Sequence, residues 1–170
     1  MTRNSAYCVP FKAQSLAAYA LAAALLSPVA FAGAEEGLIW TEKSNGDLSA
    51  LAYGPLDPAQ NPLFVLSCFS GINIVVLDVH KEIPDAKPGD PLTIELSSAK
   101  AQSPLKGEVG QNETTGKTFG EASDINVKPV LELLRDPGPL TIKMGGASAT
   151  MSEQGRAESV SKFVENCKLE

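Results

Sequence analysis

Two neighbouring runs most restrict what this chain can become: LFVLSCF at 63–69 and INIVVLDV at 72–79, with Ser70-Gly71 between them. Both are rich in β-branched and aromatic residues and too short for buried helices, so they predict a central antiparallel hairpin. Neither alternates steadily with polar residues, which implies burial on both faces or nearly so. Residues 38–41 (LIWT) and 48–53 (LSALAY) read as strands flanking the Ser44-Asn45-Gly46-Asp47 turn. Leu92, Ile94 and Leu96 alternate with Thr93, Glu95 and Ser97, and Leu140, Ile142 and Met144 with Thr141 and Lys143. Each pattern puts one face in a core and the other in water. Gly145-Gly146 turns the chain back along 147–152, and residues 105–109 and 117–122 pair as a polar hairpin around the loop 110–116. Pro55, Pro58 and Pro62, then Pro84, Pro88 and Pro91, mark loops.

Two helices complete the pattern. Over 126–135, Val127, Val130, Leu131 and Leu134 fall at helical spacing, with Asp124 or Asn126 as cap and Pro129 in the first turn. Asp136-Pro137-Gly138-Pro139 stops it. Over 156–167, Val160, Phe163, Val164 and Cys167 form one apolar stripe. The expected fold is α+β, mainly antiparallel β, a sandwich-like or meander sheet of about seven to eight strands with two short helices and one disulfide.

The first 32 residues read as a cleaved export signal and residues 33–170 as a single disulfide-stapled β-rich domain. Arg3 and Lys12 precede the uncharged run LAAYALAAALL, and Ala30 and Ala32 fit the small-residue positions of a signal-peptidase site. A cut after Ala34 fits nearly as well. The run is too short for a permanent anchor, which needs about 20 apolar residues. The leader holds two of the 14 basic residues and none of the 20 acidic ones, so 12 against 20 remain, a formal net charge of −8. That balance argues against nucleic acid or anionic lipid as a partner. Cys8 leaves with the leader. Cys68 and Cys167 remain, and an even pair in an oxidising compartment predicts a disulfide. Closing a loop of about 100 residues stabilises the fold by roughly 4 to 5 kcal/mol in the chain-entropy model.

Catalytic constellations are thin. Gly110 to Gly116-Lys117-Thr118 approaches a phosphate-binding loop, but five residues separate the glycines where four are needed, and Glu113 brings the wrong charge. A polar turn is the better reading. His80, the only histidine, follows Asp78 by two residues at a strand end, without a serine in a glycine-flanked elbow. The pairs Glu35/Glu36 and Glu108/Glu113 lie in polar turn sequence, where solvation keeps both members ionised and unlike a glycosidase acid–base pair. Trp40 and Tyr53 read as core residues more readily than as a ligand platform. Asn112-Glu113-Thr114 matches a glycosylation sequon, relevant only in a eukaryotic secretory pathway. No catalytic, cofactor-binding or metal-binding residues are assigned, and no cofactor is expected.

The order of Trp40, the cysteine-bearing strand at 63–68, the LLRDPGPLTIKM block and the terminal Phe163-Val164-Glu165-Asn166-Cys167 resembles that of small periplasmic β-rich proteins of Gram-negative bacteria. The type VI secretion-associated VasI-like proteins and related uncharacterised alphaproteobacterial exports are of this kind. The resemblance implies a disulfide-stapled sheet with helices and no known enzymatic activity. The expectation is a periplasmic or secreted bacterial accessory protein, non-enzymatic, that binds a protein or envelope component. The alternative is a small periplasmic hydrolase or inhibitor-like domain. A deep polar pocket around His80 would favour the enzyme, and a smooth sheet face with exposed apolar residues would favour binding.

Overall fold

The computed structural model describes residues 37–57 and 60–169. The expected leader, with Ala30 and Ala32, lies outside them, as do Glu35 and Glu36. Nine strands and two helices follow in the order β1 (Leu38–Asn45), β2 (Leu48–Pro55), β3 (Phe64–Phe69), β4 (Ile74–Val79), β5 (Pro91–Ser97), β6 (Gln102–Gln111), β7 (Thr118–Ala122), α1 (Val127–Arg135), β8 (Leu140–Met144), β9 (Ala147–Met151) and α2 (Arg156–Cys167). The strands form one sheet, ordered β1-β2-β3-β4-β7-β6-β5-β8-β9. Every neighbouring pair is antiparallel. No helix among the described residues is long and apolar enough to cross a membrane.

The α+β fold with one disulfide is as the sequence pattern predicts, with nine strands in place of seven to eight. The polar hairpin forms, and its first strand begins earlier than the pattern suggests. β6 is ten residues long, pairing with β5 along its first part and with β7 along its last. Pro104 fits within it opposite Glu95, pointing outward. The central hairpin needs two corrections. Its turn is the four residues 70–73 rather than Ser70-Gly71 alone, because Asn73 takes the left-handed conformation at φ 54° and delays β4 to Ile74. Burial also alternates along β3 and β4: one face is fully buried and the other only half-buried. A run of β-branched residues therefore marks a sheet with an apolar outer face here, not a doubly covered one.

The inner face carries the core. Trp40, Leu51, Tyr53, Phe64, Leu66, Leu77 and Val79 stand on it, and both helices press Val130, Leu134, Val160 and Phe163 into the same cluster. Trp40 packs against Tyr53 and Phe64 with ring centroids 5.2 and 5.3 Å away, so the N-terminal aromatics are core residues. The sheet curls until its two ends meet. Trp40 N–H donates to the Gln154 carbonyl at 3.1 Å, and its indole N–H to the Ser152 carbonyl at 2.6 Å. The Tyr53 hydroxyl accepts from Ser152 N–H at 3.1 Å. These bonds join β1 to the segment leaving β9 and give the buried aromatics' polar atoms their partners.

Cys68, on the inner face of β3, is bonded to Cys167 at the end of α2, with Cα atoms 6.0 Å apart. The other end of α2 is held by Arg156, whose buried guanidinium donates from Nη2 to the carbonyls of Asp136 and, at 2.7 Å, Gly138. These carbonyls lie just past α1, so one cation clamps the α1–β8 turn to the start of α2.

Candidate functional site

Strand pleating sends alternate side chains to opposite faces, and the inner set named above leaves Thr41, Ala50, Ala52, Val65, Ser67 and Val76 on the outer face of β1–β4. Register aligns them in rows. Lys43, Ala50, Ser67 and Val76 stand side by side, and the next row is Thr41, Ala52, Val65 and Asp78. Most of these residues are small and half-buried, and among the described residues neither helix packs over them. Toward the hairpin tips the face ends in Leu48, Phe69 and Ile72, exposed by 39, 38 and 66%. At the other end lies Leu56, 71% exposed, in the proline loop after β2. Between that loop and the sheet runs a largely apolar groove of about 280 Å³ lined by Ala50, Ala52, Leu56, Pro62 and Val65, with the charged Lys43 and Asp57 also on its wall. Gly54 makes the loop's close seat possible, because a Cβ there would stand 2.5 Å from Pro62 Cα.

Beside this apolar field stands a row of carboxylates. Asp78 faces Glu121 across β4 and β7, and Glu121 faces Glu108 across β7 and β6. Burial first, and then the neighbouring Glu121 charge, push the Asp78 carboxyl up to about 6. Glu121 accepts a hydrogen bond from Ser123 Oγ at 3.0 Å. Among the described residues none of the three has an ion-pair partner. The row differs from the pair read in the sequence: Glu108 is opposed by Glu121, while Glu113 sits exposed in the β6–β7 loop. Sequence spacing missed Glu121 because a polar hairpin reveals its register only when paired.

His80 follows β4 on the same face. Its ring lies 5.2 Å from that of Phe119, tilted by 40°, and burial lowers the imidazole from its ordinary range. Phe119 in turn lies across Gly110, where a Cβ would meet the ring. An open trough of about 270 Å³ passes His80, lined also by Asn61, Glu82, Asn112 and Lys117. Among the described residues the imidazole has this ring contact and neither a side-chain hydrogen bond nor an ion pair. The phosphate-loop-like segment is a β-hairpin loop folded on itself. Asn112 Oδ1 accepts from Thr114 and Thr115 N–H at 3.1 and 2.9 Å, and Gly116 N–H donates to the Asn112 carbonyl at 2.7 Å. The amides of Asn112, Thr114, Thr115, Gly116 and Lys117 are thus used within the loop. No group of three or more His, Cys, Asp or Glu among the described residues is placed to hold a metal ion.

Of the residues singled out from the sequence, the fold brings Cys68 and Cys167 together and sets Asp78 and His80 on one outer face. Among the described residues no serine lines the trough at His80. No protein-family model matches the chain, and no curated protein matches it. Among solved structures, the crystal structure of invasion associated protein B from Bartonella henselae is similar over 79% of this chain and 97% of that one, with a TM-score of 0.48 and 11% identity. At that degree it carries no inference about function, and the resemblance to VasI-like proteins stays one of feature order in the sequence.

Proposed function

We propose that this is an exported, non-enzymatic bacterial accessory protein of the periplasm or the secreted fraction, and that it binds a protein partner through the outer face of β1–β4. One observation carries the reading: Ala50, Ala52, Val65 and Val76 stand on the face among Thr41, Lys43, Ser67 and Asp78, and exposed Leu48, Phe69, Ile72 and Leu56 lie at its two ends. Exposed apolar residues at both ends of a sheet face are costly in water and support an interaction site there. The disulfide supports an oxidising compartment. For the rival hydrolase, His80 offers an imidazole that among the described residues has no hydrogen bond to an acid, and an open trough in place of a deep pocket. The test is a photo-cross-linking side chain placed at Ser67 on the face and, separately, at Glu132 on the exposed side of α1 in the producing cell. A defined protein adduct from position 67 and none from position 132 is expected. Equal labelling from both, or a hydrolytic activity lost on His80→Ala, would overturn the reading.

A further inference from the structure

We infer that the partner segment seated on this face carries lysine or arginine beside small apolar side chains, with the cations along the Asp78–Glu121–Glu108 row. The inference rests on the reading of the outer face as the binding surface and adds the chemistry of its occupant. The argument is charge complementarity held in register. Thr41, Ala52, Val65, Asp78, Glu121 and Glu108 form one continuous row across six strands. A ligand crossing the strands meets apolar and then acidic positions at steps of about 5 Å. Val65 both lines the apolar groove and stands directly opposite Asp78.

Like charges directly opposite destabilise a ladder, while opposite charges support it. Elsewhere this sheet follows the favourable rule, since Glu95 faces Lys143 across β5 and β8. Lys106, two residues from Glu108 along β6, makes no ion pair with the row among the described residues. A cation supplied from outside relieves the repulsion that the fold itself leaves standing. A second copy of this chain does not supply it, because it brings the same carboxylates and the same excess of acidic over basic residues. Nucleic acid and anionic lipid are repelled for the same reason. A basic and apolar protein segment satisfies both halves of the surface.

The probe is a random dodecapeptide library displayed on phage, selected against the oxidised, exported protein, with the enriched sequences then made as free peptides. Enriched peptides should combine Lys or Arg with small apolar residues. Their affinity should fall tenfold or more for Asp78→Asn/Glu121→Gln, and again as salt rises from about 0.05 to 0.5 M. Glu132→Gln on α1 should leave it unchanged. Ala50→Gln/Ala52→Gln, which fills the groove with neutral polar groups, should abolish binding. Circular dichroism and melting curves confirm folding of each variant, and Glu108→Gln with the salt series replaces any that does not fold. Peptides without basic enrichment that fail on the alanine variants but bind Asp78→Asn/Glu121→Gln normally would overturn the cationic chemistry and leave the face standing. Peptides indifferent to both sets, or no enrichment at all, would overturn both.

Discussion

At the scale of single residues, Asp78 is a carboxyl that the fold holds at a loss. It is half-buried, opposite Glu121, and shifted from 3.8 up to about 6. A raised carboxyl means that the folded state binds its proton more tightly than the unfolded state does. Stability from this group is therefore intact below about pH 4 and lost as pH rises through about 6. For a dry group that rise converts to about 3 kcal/mol, and screening at a half-exposed site reduces it to about 1 kcal/mol. His80 works in the other direction, since burial lowers it and its protonation weakens the fold as pH falls below its ordinary range. The comparison that isolates Asp78 is therefore wild type against Asp78→Asn. The variant should be about 1 kcal/mol more stable at pH 7.5 and equal to wild type at pH 3.5, read from urea midpoints across the range. A difference that is constant with pH would mean that Asp78 contributes through packing and not through its charge.

At the scale of elements, α2 is a three-turn helix held at both ends by features of different legibility. The Cys167 end was readable, because the stripe Val160, Phe163, Val164 and Cys167 fixes which face is buried, and the cysteine count leaves Cys68 as the partner. The Arg156 end was not readable. A charged residue at a helix start reads as solvated, and only the fold reveals two carbonyls past α1 that need a donor. Burial works against the guanidinium charge, while Glu153 and Asp136 favour it. The same division runs through the sheet. Strands with an apolar stripe were placed correctly. The register of β6 against β7, the four-residue turn after β3 and hence the acidic row depend on pairings that local sequence does not encode. The prediction for α2 follows from its two tethers. Cys68→Ala/Cys167→Ala should cost about 2 to 5 kcal/mol, and amide exchange should accelerate first near residues 163–167 while the amides near Arg156 stay protected. Uniform loss of protection along α2 would show that the bridge, and not the Arg156 clamp, holds the whole helix.

At the scale of the whole molecule, the curled sheet depends on a seam between its first strand and the segment leaving its last. Long-range pairing of this kind brings together residues 99 to 114 positions apart and carries a large closure entropy, so the seam is maintained only by well-formed bonds. Three polar atoms make it: Trp40 N–H, the Trp40 indole N–H and the Tyr53 hydroxyl, all meeting residues 152–154. Gly155 lets the chain turn from that seam into α2. Its φ is 79°, and a Cβ there would stand 2.9 Å from the Trp40 carbonyl oxygen, a backbone atom that is itself part of β1. Gly155→Ala thus combines left-handed strain of about 1 to 2 kcal/mol with displacement of the seam, for a total of about 2 to 4 kcal/mol. Because Trp40 is the only tryptophan, its fluorescence reports the seam directly. The variant should show red-shifted emission and greater quenching by acrylamide while the disulfide stays formed and the β-sheet circular dichroism is retained. The outer face of β1–β4 lies on the other side of the sheet, so peptide binding there should change by less than about threefold at a temperature where the variant is folded. A stability loss with unchanged Trp40 emission would place the strain in α2 alone and reject the seam as the closing element of the sheet.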